Sequence, residues 1–266
     1  MRYAASRDET LQDYPIPLQS LPGQFLHADL RETVTMTLLR HGCLPGQVGF
    51  DRLCGRLVRR GDTVFDVGAN IGYTMILYAS LVGTEGKVVA IEPGRRIFAG
   101  LSRNSGHRAN VRLVHVAASD RAGEATFYET EMSDIASLEH VTGAVEFSVP
   151  TTTLDLVAKA EGPPVFVKID VEGHEPHVLE GMTKLFRSDR PPIIIFEALN
   201  PTVRDRCAKV IRDSAGADAS LYRIQGDGSL ATDLDAPGTH NYLFLPSWAK
   251  VRLGSADLRP IDQSGA

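Results

Sequence analysis

Only three cysteines occur in the 266 residues, Cys43, Cys54 and Cys207, and no two of them stand at CxxC spacing. An odd, scattered set supports neither a disulfide framework nor a zinc knuckle, and it points to a reducing compartment. No apolar run approaches the roughly 20 residues that a helix needs to cross a bilayer, and Met1 to Thr10 is too charged for a signal peptide. The expected location is therefore cytoplasmic, with no membrane span. Basic charge is not in excess either: 28 Lys and Arg stand against 33 Asp and Glu, a net charge of -5. Nucleic-acid binders need a basic patch to release counterions, so no nucleic-acid partner is expected. The cluster Arg56, Arg59 and Arg60 reads as a solvated helix face. Internal repeats and low-complexity tracts are absent, and the sequence leaves self-association open.

What is present fits a globular α/β protein, with 43% hydrophobic and 23% charged residues. A chain of this length buries one large core, which favours a single domain with an appendage. Residues 1–60 show little strand signal and are broken by Pro15, Pro17, Pro22 and Pro45. Helical spacing near Asp29 to Arg40 and from Phe50 to Arg59 predicts a helical preface that caps the active site and selects the substrate. Residues 61–250 form the expected main domain, and 251–266 a polar tail. In the main domain TVFDVG (63–68), KVVAIEP (87–93), VRLVHVA (111–117), VFVKIDV (165–171) and PIIIFEA (192–198) are continuous apolar runs rich in β-branched residues. Such runs read as strands covered on both faces, hence a mostly parallel sheet. LYRI (221–224) and NYLFLP (241–246) predict a closing antiparallel pair. EATFYE (124–129) and VEFSVP (145–150) predict an inserted hairpin whose loop, 130–144, lies over the site.

The first of these strands runs into DVGANIGYT, residues 66–74. Gly68 and Gly72 stand where a strand turns sharply into a helix and its backbone approaches a ligand, with Asn70 between them. The stretch is neither GxGxxG nor a P-loop, so the expected ligand is a nucleoside without a pyrophosphate. Asp66 can accept from a cationic amine, Glu92 at the second strand tip from ribose hydroxyls, and Asp120 at the third from the exocyclic amine of adenine. Together these tips outline S-adenosylmethionine. A nicotinamide-dependent oxidoreductase is the rival from another class, against which the lack of GxGxxG counts. For Asp120 the alternative is a tight-turn cap before Gly123.

These segments, with GDTVFDVGANIGYT, IEP, AASDRAGEATFYE, PTTTLDLV, FVKIDVEGHEPHVLEGM and IIIFEAL in this order, resemble the FkbM family of class I methyltransferases from about Gly61 to Pro246. The resemblance implies a Rossmann-like fold with a seven-stranded sheet whose last strand is antiparallel. It also implies S-adenosylmethionine as cofactor, and an O-methyltransferase acting on a small metabolite, sugar or glycolipid. Methylation of a nitrogen or a carboxylate remains the alternative.

VFVKIDVEGHEPHVLEGM (165–182) crowds charge into the end of an apolar strand. Alternation puts Lys168, Asp170 and Glu172 on one side and Val167, Ile169 and Val171 on the other. The next strand brings Glu197 to the neighbouring tip. An alcohol must lose its proton to attack a methyl sulfonium, which leaves two devices. His174 can be the base, or Asp170 and Glu197, with Glu172 beside them, can hold a magnesium ion that lowers the hydroxyl pKa. HEPH (174–177) has the wrong spacing for a zinc HExxH site. The bland alternatives are an internal Lys168–Asp170 ion pair, and a Glu175 that only favours a helix N-terminus.

Overall fold

A computed structural model describes residues 14–18, 21–29, 33–41, 46–130, 136–216, 219–236 and 240–253. Cys43, most of the predicted polar tail and the first thirteen residues of the preface lie outside them.

The chain opens with an antiparallel ribbon, β1 (Tyr14–Pro17) against β2 (Phe25–Ala28). This corrects the purely helical preface. Pro15 and Pro17 weaken the strand signal, yet both are exposed, and among the described residues the ribbon has two strands, so each is an edge strand, where proline is tolerated. The alternate residues Ile16 and Leu26 are buried in the main core and carry the pairing. The two expected helices follow as α1 (Thr33–His41) and α2 (Gln47–Leu57). Phe50, Leu53, Cys54 and Leu57 of α2 are buried in the same core, so the preface is packed onto the main domain.

Then come β3 (Thr63–Val67), α3 (Tyr73–Val82), β4 (Lys87–Ile91), α4 (Arg95–Ser105) and β5 (Val111–Val114). A small side sheet follows, made of β6 (Ala117–Ala118), β7 (Gly123–Glu129) and β8 (Val145–Thr152), with α5 (Leu154–Glu161) after it. The chain returns through β9 (Phe166–Ile169), α6 (Glu175–Glu180), α7 (Thr183–Phe186), β10 (Ile193–Glu197) and α8 (Pro201–Ala215). It closes with β11 (Leu221–Ile224), β12 (Leu230–Ala231), β13 (Asn241–Phe244) and a 3-10 turn, Ser247–Arg252.

The main sheet has the order β12-β11-β13-β10-β9-β3-β4-β5. Its five central and outer strands from β5 to β10 are parallel, and β13 runs antiparallel between β10 and β11. The antiparallel last strand is as expected. Among the described residues the count is eight rather than seven, because the Gly- and Asp-rich stretch after β11 turns back as the two-residue β12. Alternation divides the core between two faces. Val64, Ala90, Phe166 and Ile195 pack on one side with α2 and α3, while Phe65, Val89, Val167 and Ile194 pack on the other with α6 and α8. The helical stretch that begins at Glu175 is split at Gly181, whose position leaves no room for a side chain beside the Ser119 carbonyl. Val178, Leu179, Met182, Leu185 and Phe186 of this stretch are all buried against the sheet.

Candidate active site

A parallel sheet sends all its carboxyl ends to one side, and ligands bind in the crevice there. A cavity of about 890 Å³ lies at those ends, in the upper part of the ~300–1,000 Å³ range of small-molecule sites. One half is walled by the 68–71 turn, Glu92, Ile97, Ala118, Phe127 and Leu138. The other half meets Gln47 and Phe50 of α2, Tyr73, and, across β10 and β13, Glu197, His240 and Asn241. Lys168, Asp170, Glu172 and His174 line it as well.

The glycine turn is shaped by its neighbours. Gly68 (φ 73°) is on the wall, and a Cβ there would collide with the Asp170 carbonyl oxygen. Gly72 (φ 102°) is off the wall, where a side chain would meet Met75 and Leu101. Asn70 takes the left-handed φ of 49°, and its backbone N–H donates to Glu92 Oε2 at 3.0 Å. Gly94 N donates to Glu92 Oε1 at 2.8 Å. Burial nevertheless pushes the Glu92 carboxyl up to about 7, the two backbone donors opposing it.

Asp66 and Asp120 are not on the cavity wall. Asp66 is fully buried beneath the turn, accepts from Thr74 Oγ1 at 2.8 Å, and leaves Oδ1 without a hydrogen-bond partner. Burial pushes it up to about 6 although Lys168, its register neighbour on β9, pulls the other way. Asp120 sits beyond β6, accepting from Ser119 Oγ at 3.0 Å and pairing with Arg121.

The acid cluster forms at the tips of β9 and β10. Lys168 Nζ lies 2.9 Å from Asp170 Oδ2. Burial alone would lower the lysine, but the Asp170 and Asp66 charges hold it above its ordinary value. Burial would raise Asp170, yet Lys168 brings it below the usual carboxylate range. Glu197, desolvated and facing the Asp170 charge, is pushed up to about 9 and hydrogen-bonds Asp170. Of the two, Asp170 is held toward its charged form and Glu197 toward its protonated form. Asp170, Glu172 and Glu197 bring ligand oxygens within 4.8 Å of one another, the set expected for magnesium. The Lys168 ammonium, 2.9 Å from Asp170 Oδ2, already stands where a cation would meet that carboxylate, so the donor set does not fit magnesium well.

Both ring nitrogens of His174 are engaged. Nε2 meets Ser119 Oγ at 2.9 Å and Nδ1 meets Glu139 Oε1 at 3.0 Å. Burial lowers its pKa against the pull of Glu139; in the neutral ring Nδ1–H donates to Glu139, and the single Ser119 hydroxyl proton is shared between Nε2 and Asp120. Glu175 does more than favour a helix end: its carboxylate accepts from Val171 N at 2.9 Å and Gly173 N at 3.1 Å.

Several lining or supporting residues escape a reading of the sequence. Asp51, buried on α2, accepts from Tyr73 Oη at 2.6 Å and Gln47 Nε2 at 2.7 Å, and so fixes two side chains of the cavity wall. The unusual acid on the apolar face of α2 is the available signal. Ser137 and Leu138 belong to an irregular loop with none.

An open α/β sheet with this strand order, a glycine turn facing an acid on the next strand, and a cavity across both tips define a nucleoside-cofactor-binding protein of the Rossmann-like class. The methyltransferase FkbM domain model matches residues 66–213, more than half of the chain, and the chain belongs to that family. Hexuronic acid methyltransferase AglP of Haloferax volcanii is 33% identical over 150 residues, 54% of this chain and 60% of that protein. The 31-O-demethyl-FK506 methyltransferase FkbM of Streptomyces tacrolimicus is 47% identical over 74 residues, 27% of this chain and 28% of that one. The chain thus spans less than two thirds of either relative. A solved SAM-dependent O-methyltransferase from Thermotoga maritima superposes with a TM-score of 0.45 at 13% identity, covering 82% of this chain and 72% of that one. Among the described residues no helix is long and apolar enough to cross a membrane.

Proposed function

We propose that the protein is an S-adenosylmethionine-dependent O-methyltransferase acting on a hydroxyl of a small metabolite, sugar or glycolipid. The observation that carries this reading is the single cavity that runs from Glu92 and the 68–71 turn to the acids at the β9 and β10 tips. The residues of the first half fit the cofactor. Glu92 keeps lone pairs for ribose hydroxyls, and Ile97, Ala118, Phe127 and Leu138 offer apolar surface to a base. When bound, S-adenosylmethionine supplies a methyl group on a positively charged sulfur.

Asp170, Glu172 and Glu197 face the acceptor half, where they orient a hydroxyl and an unprotonated carboxylate takes its proton as the oxygen attacks. Lys168 keeps Asp170 ionised for that task. The acidic surroundings favour a neutral hydroxyl over an anionic acceptor, which supports O-methylation over methylation of a carboxylate. Gln47 and Tyr73, from α2 and the start of α3, line the same cavity and contribute to acceptor choice.

Calorimetry tests the cofactor: S-adenosylmethionine and S-adenosylhomocysteine are expected to bind with micromolar constants, and NAD without saturation. Methyl transfer from labelled cofactor to a panel of a neutral glycoside, an amino sugar and a uronic acid tests the acceptor class. NAD binding without S-adenosylmethionine binding would overturn the assignment, and preferential labelling of the uronic acid carboxylate would overturn the O-methyl reading.

A further inference from the structure

Glu172 has a φ of 55°, in the left-handed region that a residue with a Cβ avoids. Among the described residues Asn70 is its one non-glycine companion. Asparagine tolerates this conformation through local hydrogen bonding, whereas glutamate has no such aptitude. A strained backbone persists when its surroundings over-determine it, and here the surroundings can be named.

The 171–173 turn has its amides held from one side and its carbonyls from the other. Glu175, almost fully buried, receives the N–H groups of Val171 and Gly173. Ser137 Oγ approaches the carbonyl oxygens of Val171 and Glu172 at 3.2 and 2.9 Å, so its single proton is shared between them. The same oxygen accepts from Glu139 N at 3.0 Å.

Ser137 is only 2% exposed and is fixed by two backbone bonds to Tyr128 on β7, at 2.8 and 3.1 Å. Glu139, two residues on, ties the next position of the turn through His174. The side hairpin, distant in sequence, therefore clamps the segment that presents the Glu172 carboxylate beside Asp170 and Glu197. A glycine at 172 would make the turn without strain but would bring no carboxylate.

We propose that Ser137 is a positioning residue for methyl transfer: its hydroxyl holds Glu172 in the left-handed turn and so places the Glu172 carboxylate at the acceptor. The link to methyl transfer rests on the function proposed above, while the hold on the turn does not. Ser137 acts through Glu172 and touches no reacting atom.

The test compares wild type, Ser137→Ala, Ser137→Thr, Glu172→Gln and the Ser137→Ala/Glu172→Gln pair. In Ser137→Ala, amide exchange at Gly173 and His174 should quicken by at least about tenfold, and the backbone NMR shifts of Glu172 should lose their left-handed signature. S-adenosylhomocysteine affinity should change less than about threefold. With the neutral glycoside as acceptor, kcat should fall on the order of 10- to 100-fold, as for a misplaced catalytic group. Ser137→Thr should recover most of the loss, and Ser137→Ala should add little in the Glu172→Gln background. Should the alanine variant prove too unstable, Ser137→Cys, near in volume and a weaker donor, is read in the same way. Unchanged exchange and shifts at the turn would overturn the proposal, as would an equal kcat loss with or without the Glu172 carboxylate. If S-adenosylhomocysteine binds neither protein, the methyltransferase reading fails, and the exchange and shift measurements still decide whether Ser137 holds the turn.

Discussion

Lys168 Nζ lies 2.9 Å from Asp170 Oδ2, two residues on and just past the end of β9, with Asp66 beside the lysine in register and Glu197 beside the aspartate. One ammonium thus faces three carboxyl groups, and the cluster stays acidic.

Replacing Lys168 with Met should destabilise the protein by about 3–5 kcal/mol at pH 7, because a buried acid loses its partner. Asp170 and Asp66 can relieve the loss by taking up protons. The difference from wild type should therefore shrink as pH falls toward 5. Urea unfolding at pH 5 and 7.5 checks this, and a pH-independent difference would assign the cost to packing alone.

Cofactor binding should depend on pH through Glu92. Free Glu92 titrates near 7, and ribose hydroxyls donate to its charged form, so binding lowers its pKa and releases a proton. Affinity should be flat above pH 7 and fall up to about tenfold per unit below it, until the pH passes the pKa of the bound state. The linkage to folding has the opposite sense: the raised carboxyl stabilises the unliganded fold below pH 4.5, and that contribution is lost as pH rises through about 7. Calorimetry of S-adenosylhomocysteine in buffers of different ionisation enthalpy measures the proton directly. Glu92→Ala should abolish the release and weaken binding by about 1.5–3 kcal/mol.

His174→Ala, with both ring nitrogens already bound by Ser119 and Glu139, should cost less than about tenfold in kcat, and EDTA should leave the rate unchanged. A loss of about 10²- to 10⁴-fold with chelation harmless would instead make His174 the base. Activity abolished by EDTA and restored by Mg²⁺ would return the acids to a metal-binding role.

The sequence by itself determined the parallel sheet and the place of its tips. TVFDV, KVVAI, FVKI and IIIFE are continuous β-branched runs whose burial on both faces is a local property, and a βα unit of fixed length puts Glu92 beside the 68–71 turn. Alternation along one strand likewise put Lys168 and Asp170 on a common side. The tertiary structure alone decided what depends on partners far along the chain. The β1–β2 ribbon forms despite Pro15 and Pro17 because Ile16 and Leu26 find the core. Glu197 is pushed toward its protonated form because β10 lies beside β9, and desolvation next to a like charge is a property of that neighbourhood. Asp66 looks like a ligand at a strand end but lies beneath the turn, since which face of a doubly covered strand meets the cavity is set by packing. Ser137 has no local signal at all, and its role comes from the hairpin that carries it to the carbonyls of Val171 and Glu172.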